Sequence, residues 1–332
     1  MQTITRQTLL DKAVSLLNSG TVTCVLGWKK GEFDYDITPA IFRSAEDLEA
    51  NFVWNDFCGA NFSKYLVAKT DRLDGKMLVF LKPCDTYSFN QLLTEHRFDR
   101  EKVYAVGIPC EGMADIAKIK AITGDGISSI ACDEKISVTT LYADAPVVMD
   151  PKDVLLERCE NCKSKKHVAY DELLGEEGEI LDSNRFDEVA RLEAMTPDER
   201  FAFWQNELSR CIRCNACRDA CPACTCEKCV FDNPKSGVEN KAPANSFEEK
   251  LFHIIRAYHV AGRCTDCGEC SRVCPQNIPL HLLNRKFIKD INEFYGEYQA
   301  GEEVGSRAPL VNYTQDDIEP GDVFNRGGDN NA

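Results

Sequence analysis

An α/β half with a parallel sheet, followed by an all-helical half, is the architecture this sequence predicts. Three observations carry it: a repeated unit of strand, Pro-Cys-acid turn and helix between residues 76 and 120; capped amphipathic helices after residue 190; and two cysteine runs of matching spacing set between those helices. At 332 residues and 43% hydrophobic content, the chain is long enough for two domains with cores of their own. A formal net charge of -15 argues against nucleic acid or an anionic membrane surface as partner. No apolar stretch approaches transmembrane length, and the first residues lead into an amphipathic helix rather than a signal core. A soluble, cytoplasmic protein of a reducing compartment, docking on other proteins, is expected.

In the first half, Leu9, Leu10, Ala13, Val14, Leu16 and Leu17 give an opening helix one broad apolar face, closed by Asn18-Ser19-Gly20. Thr21 to Leu26 reads as a strand. Lys76 to Leu81, then Pro83-Cys84-Asp85 and a helix from Thr86 to Thr94, is echoed by Lys102 to Ile108, then Pro109-Cys110-Glu111 and a helix from Met113 to Lys120. Near-continuous apolar strands alternating with helices imply a parallel sheet covered on both faces. Right-handed crossovers would place Cys84 and Cys110 together at the carboxyl ends of neighbouring strands, where open α/β sheets bind ligands. Ile136 to Tyr142 is a further strand, Cys159-Glu160-Asn161-Cys162 opens a loop beyond it, and the acidic Gly175 to Glu179 marks the end of a domain spanning 1–175.

The helical domain, 190–297, begins with Thr196 as N-cap, Pro197 in the first turn and Glu199 completing a capping box, with Phe201, Trp204 and Leu208 inward. Ser246 and Glu249 form a second capping box, for a helix with Leu251, Ile254, Ile255 and Tyr258 on one face, ending at Gly262. Pro279 starts a last helix with Leu282, Leu283, Phe287, Ile288, Ile291 and Phe294 at helical spacing. Residues 298–332 form a polar tail that orders only against a partner.

Eighteen cysteines run through this frame. Cys211-Ile-Arg-Cys214-Asn-Ala-Cys217-Arg-Asp-Ala-Cys221-Pro222 and Cys264-Thr-Asp-Cys267-Gly-Glu-Cys270-Ser-Arg-Val-Cys274-Pro275 both read C-x2-C-x2-C-x3-C-P. This is the spacing of bacterial ferredoxins, in which three thiolates take three corners of a 4Fe-4S cube while the fourth cysteine crosses to the other cube. Cys211, Cys214, Cys217 and Cys274 are the expected ligands of one cluster; Cys264, Cys267, Cys270 and Cys221 those of the second. Structural zinc takes paired C-x2-C knuckles and has no use for the third cysteine or the C-P ending. Clusters set between helices make this an α-helical ferredoxin domain.

Cys84, Cys110, Cys159 and Cys162 would suit a third 4Fe-4S cluster, with a zinc site or unrelated buried thiols as the alternatives. Cys224, Cys226 and Cys229 must lie beside the cluster domain. They complete another metal site with Cys58, replace Cys221 as ligand, or donate weak S–H hydrogen bonds that tune a cluster. Cys24 and Cys132 read as core residues. His96, His253 and His259 have surface or capping roles as the default reading, and Asp85 and Glu111 read as first-turn or N-cap acids. No Gly-x-Gly-x-x-Gly follows a strand, so nicotinamide or flavin binding of Rossmann type has no motif here.

The Lys82-Pro83-Cys84-Asp85 and Ile108-Pro109-Cys110-Glu111-Gly112 strand ends, the Arg158 to Cys162 loop, the run Ser209 to Cys229 and Ala261-Gly262-Arg263-Cys264 together resemble a family of dicluster ferredoxin-type proteins. The family is related to the β subunits of formate dehydrogenases and deazaflavin-reducing hydrogenases and, more distantly, to the anaerobic sulfite reductase A subunit. The resemblance covers roughly residues 60–295. It implies an electron-transfer subunit of a cytoplasmic anaerobic complex, beside a heterodisulfide-reductase-type flavoprotein or a formate- or hydrogen-oxidising subunit. The larger β subunits carry FAD and reduce a deazaflavin, which makes an FAD-containing enzyme that reduces a deazaflavin or nicotinamide the alternative function.

Overall fold

Continuous apolar runs at residues 77–81 and 103–107 can be satisfied only where both sheet faces are covered, and they form the centre of the sheet. The structure, a computed structural model, describes residues 3–70, 73–226, 229–232 and 246–309. In chain order its first half runs α1 (Arg6–Asn18), β1 (Cys24–Lys30), β2 (Ile37–Phe42), α2 (Ala45–Asn51), α3 (Ser63–Lys69), β3 (Met77–Leu81), α4 (Pro83–Thr94), β4 (Val103–Gly107), α5 (Ile116–Thr123), β5 (Ile127–Cys132), β6 (Ile136–Thr140), β7 (Val147–Met149), α6 (Glu157–Glu160) and β8 (Glu172–Leu173). The second half runs α7 (Asp187–Ala194), α8 (Pro197–Ser209), α9 (Ala216–Asp219), α10 (Ser246–His259), α11 (Glu269–Arg272) and α12 (His281–Tyr295). The side chains of the capping box expected at Ser246 and Glu249, the segment 233–245 and the tail beyond residue 309 lie outside the described residues.

The main sheet has the order β2-β1-β3-β4-β8, with β1, β3, β4 and β8 mutually parallel. The parallel pairing expected of the repeated strands is present, and the sheet has one antiparallel edge. β2 pairs antiparallel with β1, because the connection between Lys30 and Ile37 is too short for a crossover. Pro39 is tolerated in β2 because that strand is an edge. The strand expected at 136–142 is β6, and β5, β6 and β7 form a separate antiparallel sheet over its own small core around Ile119, Ile136 and Val138.

The internal repeat holds for its strands and only partly for its helices. α4 starts at Pro83 directly after β3, with the Asp85 carboxylate accepting from the Lys82 backbone N–H at 3.3 Å, the first-turn role expected of it. After β4 the chain stays extended through Pro109 to Ala114, and Gly112 takes φ 134°, which no helix accommodates. α5 therefore begins only at Ile116, capped by Asp115, whose carboxylate accepts from Ala117 N–H at 2.8 Å; Glu111 is exposed and caps nothing.

In the helical half, the Thr196 capping box is present: Glu199 N–H donates to Thr196 Oγ1 at 3.3 Å and Thr196 N–H to Glu199 Oε2 at 2.9 Å. Leu208 is buried, but Phe201 lies outside, 56% exposed under the Lys250 ammonium. α10 departs further from expectation. It buries Phe252, His253, Arg256, Ala257 and Val260 and leaves Ile254 and Tyr258 outside, because this face meets cysteine loops instead of an apolar core. α12 buries Leu282, Ile288 and Ile291 together with Asn284 and Arg285, while Phe294 is exposed.

Polar contacts join the halves. Arg285 is 1% exposed and spans both, with Nη1 2.6 Å from Glu157 Oε1 and Nε 3.0 Å from Asp266 Oδ1. Arg263 forks onto Glu95 at 2.6 and 2.8 Å, and Ser88 and Thr265 hydroxyls meet at 2.8 Å. Beyond the boundary expected at 175, Ile180 bridges back to Ser164. Nor does the expected tail begin freely at 298. Residues 298–309 run back over α4: Tyr298 O–H donates to Gly262 O at 3.0 Å, Asn90 Nδ2 to Glu302 O at 3.3 Å and Gly305 N–H to Thr94 Oγ1 at 2.9 Å. Gly301, at φ 75°, sits against the Tyr87 carbonyl where any side chain would collide.

Arg285→Met removes the cation that pairs Glu157 across the halves and Asp266, 5% exposed, within the helical half, leaving Asp266 only Arg185 at 3.5 Å. Anaerobic urea unfolding of the full chain should show a loss of about 3 kcal/mol, the lower end for a broken buried pair because Glu157 keeps some contact with water. A change below about 1 kcal/mol, the scale of exposed pairs, contradicts the role given to Arg285.

Candidate metal centres

Each cysteine run builds the same local backbone. The residues before and after the second cysteine take positive φ, Arg213 at 55° and Asn215 at 63°, Asp266 at 57° and Gly268 at 65°. Each run then enters one helical turn, α9 or α11, and these turns pack together. Left-handed residues are costly for side-chain-bearing positions, so their repetition at matching places marks a shared loop geometry. Gly268 has a second reason to be glycine, because the Arg158 side chain passes where a Cβ would stand.

The fourth cysteine of each run lies with the first three of the other. Cys211, Cys214, Cys217 and Cys274 line one hollow between the runs. Cys221 is an electrostatic neighbour of Cys264, Cys267 and Cys270. Burial pushes the Cys217 and Cys264 thiols up to about 12, and Cys267 well above its ordinary value. A metal group binding here would therefore displace protons. Cys221 moves the other way, lowered by its side-chain hydrogen bond with Cys224. Among the readings of Cys224, S–H donation is the one this contact favours.

Nitrogen donors surround these sulfurs. His253 Nε2 is 3.3 Å from Cys211 Sγ and Asn284 Nδ2 is 3.6 Å from Cys270 Sγ. His253 is 2% exposed, not a surface residue, and burial beside Arg256 and Arg213 lowers it to about 3, so it is neutral. The signal for His253 and Arg256 was present but unused: two polar residues, three apart, sharing a helix face with Phe252, Ala257 and Val260.

Cys84, Cys110, Cys159 and Cys162 do converge, lining a single cavity at the carboxyl ends of β3 and β4 that Cys267 also reaches. Cys84 comes from the first turn of α4, Cys110 from the extended segment after β4, Cys159 from α6 and Cys162 from just beyond it. The cavity walls are cationic. Lys82 is fully buried beneath it, its Nζ 2.8 Å from Asp85 Oδ2 and 2.9 Å from Ala60 O. Lys165 Nζ donates to Cys110 O at 2.6 Å, and Lys163 Nζ donates to Thr265 O. Burial lowers Lys163 to about 8. Arg158 lies 2.7 Å from Glu269 Oε1. Burial alone would raise the Glu269 carboxyl, but Arg272 and Arg158 hold it at about 2. Among the described residues, no three His, Cys, Asp or Glu groups gather closely enough to hold one metal ion.

The proposed grouping of Cys58 with Cys224, Cys226 and Cys229 is corrected. Those three line their own cavity near Lys64, Arg218 and Arg263, whereas Cys58 is buried in the α/β core, accepting from Asn55 N–H at 3.3 Å beside Asp56, Lys82 and Cys110. Sequence spacing carried no information on that separation. Cys24 is fully buried and Cys132 packs on the small second core, as expected. His167, unnoticed in the sequence, is 4% exposed and lies 3.2 and 3.1 Å from the carbonyls of Leu81 and Ile108, where β3 and β4 end.

The 4Fe-4S dicluster domain family matches residues 207–278. The subunit beta of an F420-dependent formate dehydrogenase from Methanocaldococcus jannaschii is 24% identical over 354 residues, covering 90% of this chain and 92% of the relative. The subunit beta of F420-dependent formate dehydrogenase 1 from Methanococcus maripaludis is 24% identical over 351 residues, covering 83% and 87%. Among solved structures, a chain of the F420-reducing NiFe hydrogenase complex from Methanosarcina barkeri matches at 16% identity and a TM-score of 0.35, over 51% of this chain and 64% of that one, a likeness too slight to carry an argument. No helix among the described residues is long and apolar enough to cross a membrane.

Cys58→Ala should leave the iron and zinc content of the anaerobically prepared full chain at the level of the unaltered protein. Loss of either metal in that variant would restore Cys58 to a metal site.

Proposed function

We propose that this chain is an iron–sulfur electron-transfer subunit of an anaerobic oxidoreductase complex. Its 4Fe-4S clusters are assigned to Cys211, Cys214, Cys217 and Cys274, to Cys264, Cys267, Cys270 and Cys221, and to Cys84, Cys110, Cys159 and Cys162. The observation that carries this reading is the adjacency of three thiol sets: Cys217 neighbours Cys270, and Cys267 reaches into the cavity of the third set. The full-length similarity to β subunits of formate dehydrogenases supports it.

The residues present fit such groups. Arg158 Nε, Arg256 Nε and His253 Nδ1 are buried without a hydrogen-bond partner, and an iron–sulfur cube brings sulfur acceptors to such donors. The four thiols of the third set line one cavity from separate elements, which suits a cube. Bound clusters of this type take up and release single electrons, at potentials between about -700 and +450 mV. The protein's part is to hold the thiols, to exclude water and to present N–H groups and cations to the charge: His253 at Cys211, Asn284 at Cys270, Lys82 and Lys165 at the third cavity. Donor and acceptor come from elsewhere in the complex. A formate- or hydrogen-oxidising subunit on one side and a flavoprotein of heterodisulfide-reductase type on the other fit the resemblance.

Iron, zinc and flavin analysis of one anaerobic preparation tests the assignment. Cys217→Ser, Cys270→Ser and Cys110→Ser should each remove one cluster's share of iron and change the low-temperature paramagnetic resonance spectrum. Unchanged iron and spectrum in all three would refute the ligand sets, and stoichiometric zinc lost with Cys110→Ser would replace the third cluster. Turnover of a deazaflavin or nicotinamide by the chain alone, with bound flavin, would favour the FAD-containing enzyme.

A further inference from the structure

A buried guanidinium stands at each place where two thiol sets meet. Arg256, on α10, is 4% exposed; its Nη2 donates to the Cys217 carbonyl at 2.8 Å, and the thiols nearest its charge are Cys221, Cys270, Cys217 and Cys224. It lies between the set of Cys217 and the set of Cys270. Arg158 holds the next junction, lining the third cavity while donating to the carbonyl of Cys267.

The two differ in one respect. Arg158 has the carboxylate of Glu269 2.7 Å away and 3% exposed, shared with Arg272, so its junction carries a salt bridge. Among the described residues, Arg256 has no carboxylate partner. Its Nε–H is also buried without an acceptor. An unpaired cation is costly to bury unless negative charge is brought to it. The four thiols around Arg256 become that charge when they bind iron, since ligation requires thiolates.

We propose that Arg256 is the potential-setting residue of the helical half: an uncompensated buried cation, shared by two clusters, that raises the reduction potential of both. The inference rests on the cluster assignment proposed above. Each added electron increases the negative charge on a cluster, and a fixed cation in a low-dielectric interior stabilises the reduced form more than the oxidised one. Because the charge sits between the two sets, one substitution should move both potentials in the same direction.

The test is a redox titration of the anaerobically prepared full chain, followed by low-temperature paramagnetic resonance, with Arg256→Gln, Arg256→Met and Arg256→Lys beside the unaltered protein. The neutral variants should keep their iron and lower both helical-half potentials by a tenfold shift in the reduced-to-oxidised ratio, about 59 mV for one electron. Arg256→Lys should return most of that shift. Neutral variants with intact clusters and unmoved potentials would overturn the proposal. So would loss of iron from both neutral variants, which would make Arg256 a structural tie. An unaltered chain without clusters would defeat the cluster assignment itself, which the iron content reports before any variant is compared.

Discussion

Backbone carbonyls of the cysteine loops are buried where no helix or strand can satisfy them, and the rest of the structure is arranged around that constraint. Long cations satisfy them. In the helical half, Cys224 O accepts from Lys64, Thr225 O from Arg97, Thr265 O from Lys163 and Cys267 O from Arg158. All four donors belong to the α/β half. The pattern repeats inside the first half, where Lys82 reaches Ala60 O, Lys165 reaches Cys110 O and Arg158 reaches Gly59 O. Leaving such a carbonyl unpaired costs about 1–3 kcal/mol, so several together bind the halves more specifically than an apolar face would. Lys82, Arg158, Lys163 and Lys165 among these cations also line the third thiol cavity, so backbone and thiols share one set of charges.

This arrangement reverses the protein's overall electrostatics at its centre. The sequence is strongly acidic, with a net charge of -15, yet the groups around the thiol cavities are Lys82, Arg158, Lys163, Lys165 and Arg256. Internal carboxylates appear mainly as partners, Asp85 for Lys82 and Glu269 for Arg158 and Arg272. Acidic surface and cationic interior place each sign where solvent or thiolate can meet it.

Legibility in the sequence followed the kind of interaction concerned. The crossed cysteine groups were readable because loop spacing is a local, covalent constraint, and the Thr196 cap because one side chain and one backbone donor decide it. Neighbouring β3 and β4 followed from apolar runs and crossover handedness. The face of α10 did not, since periodicity assumes that interiors are apolar, whereas this helix looks onto sulfurs and carbonyls and turns His253 and Arg256 inward. Cys58 was misplaced because spacing cannot report which core a residue distant in sequence joins. The antiparallel edge was written in the shortness of the segment between Lys30 and Ile37, and the polar composition of residues 298–309 concealed packing made through hydrogen bonds and a close backbone approach at Gly301.

That last segment has a temporal consequence. Residues 298–309 follow both halves in the chain and close across α4 against the first of them. During synthesis the two halves therefore emerge, and begin to fold, before their final clasp exists. The contacts of this segment with α4 are thus the last to become available to the folding chain.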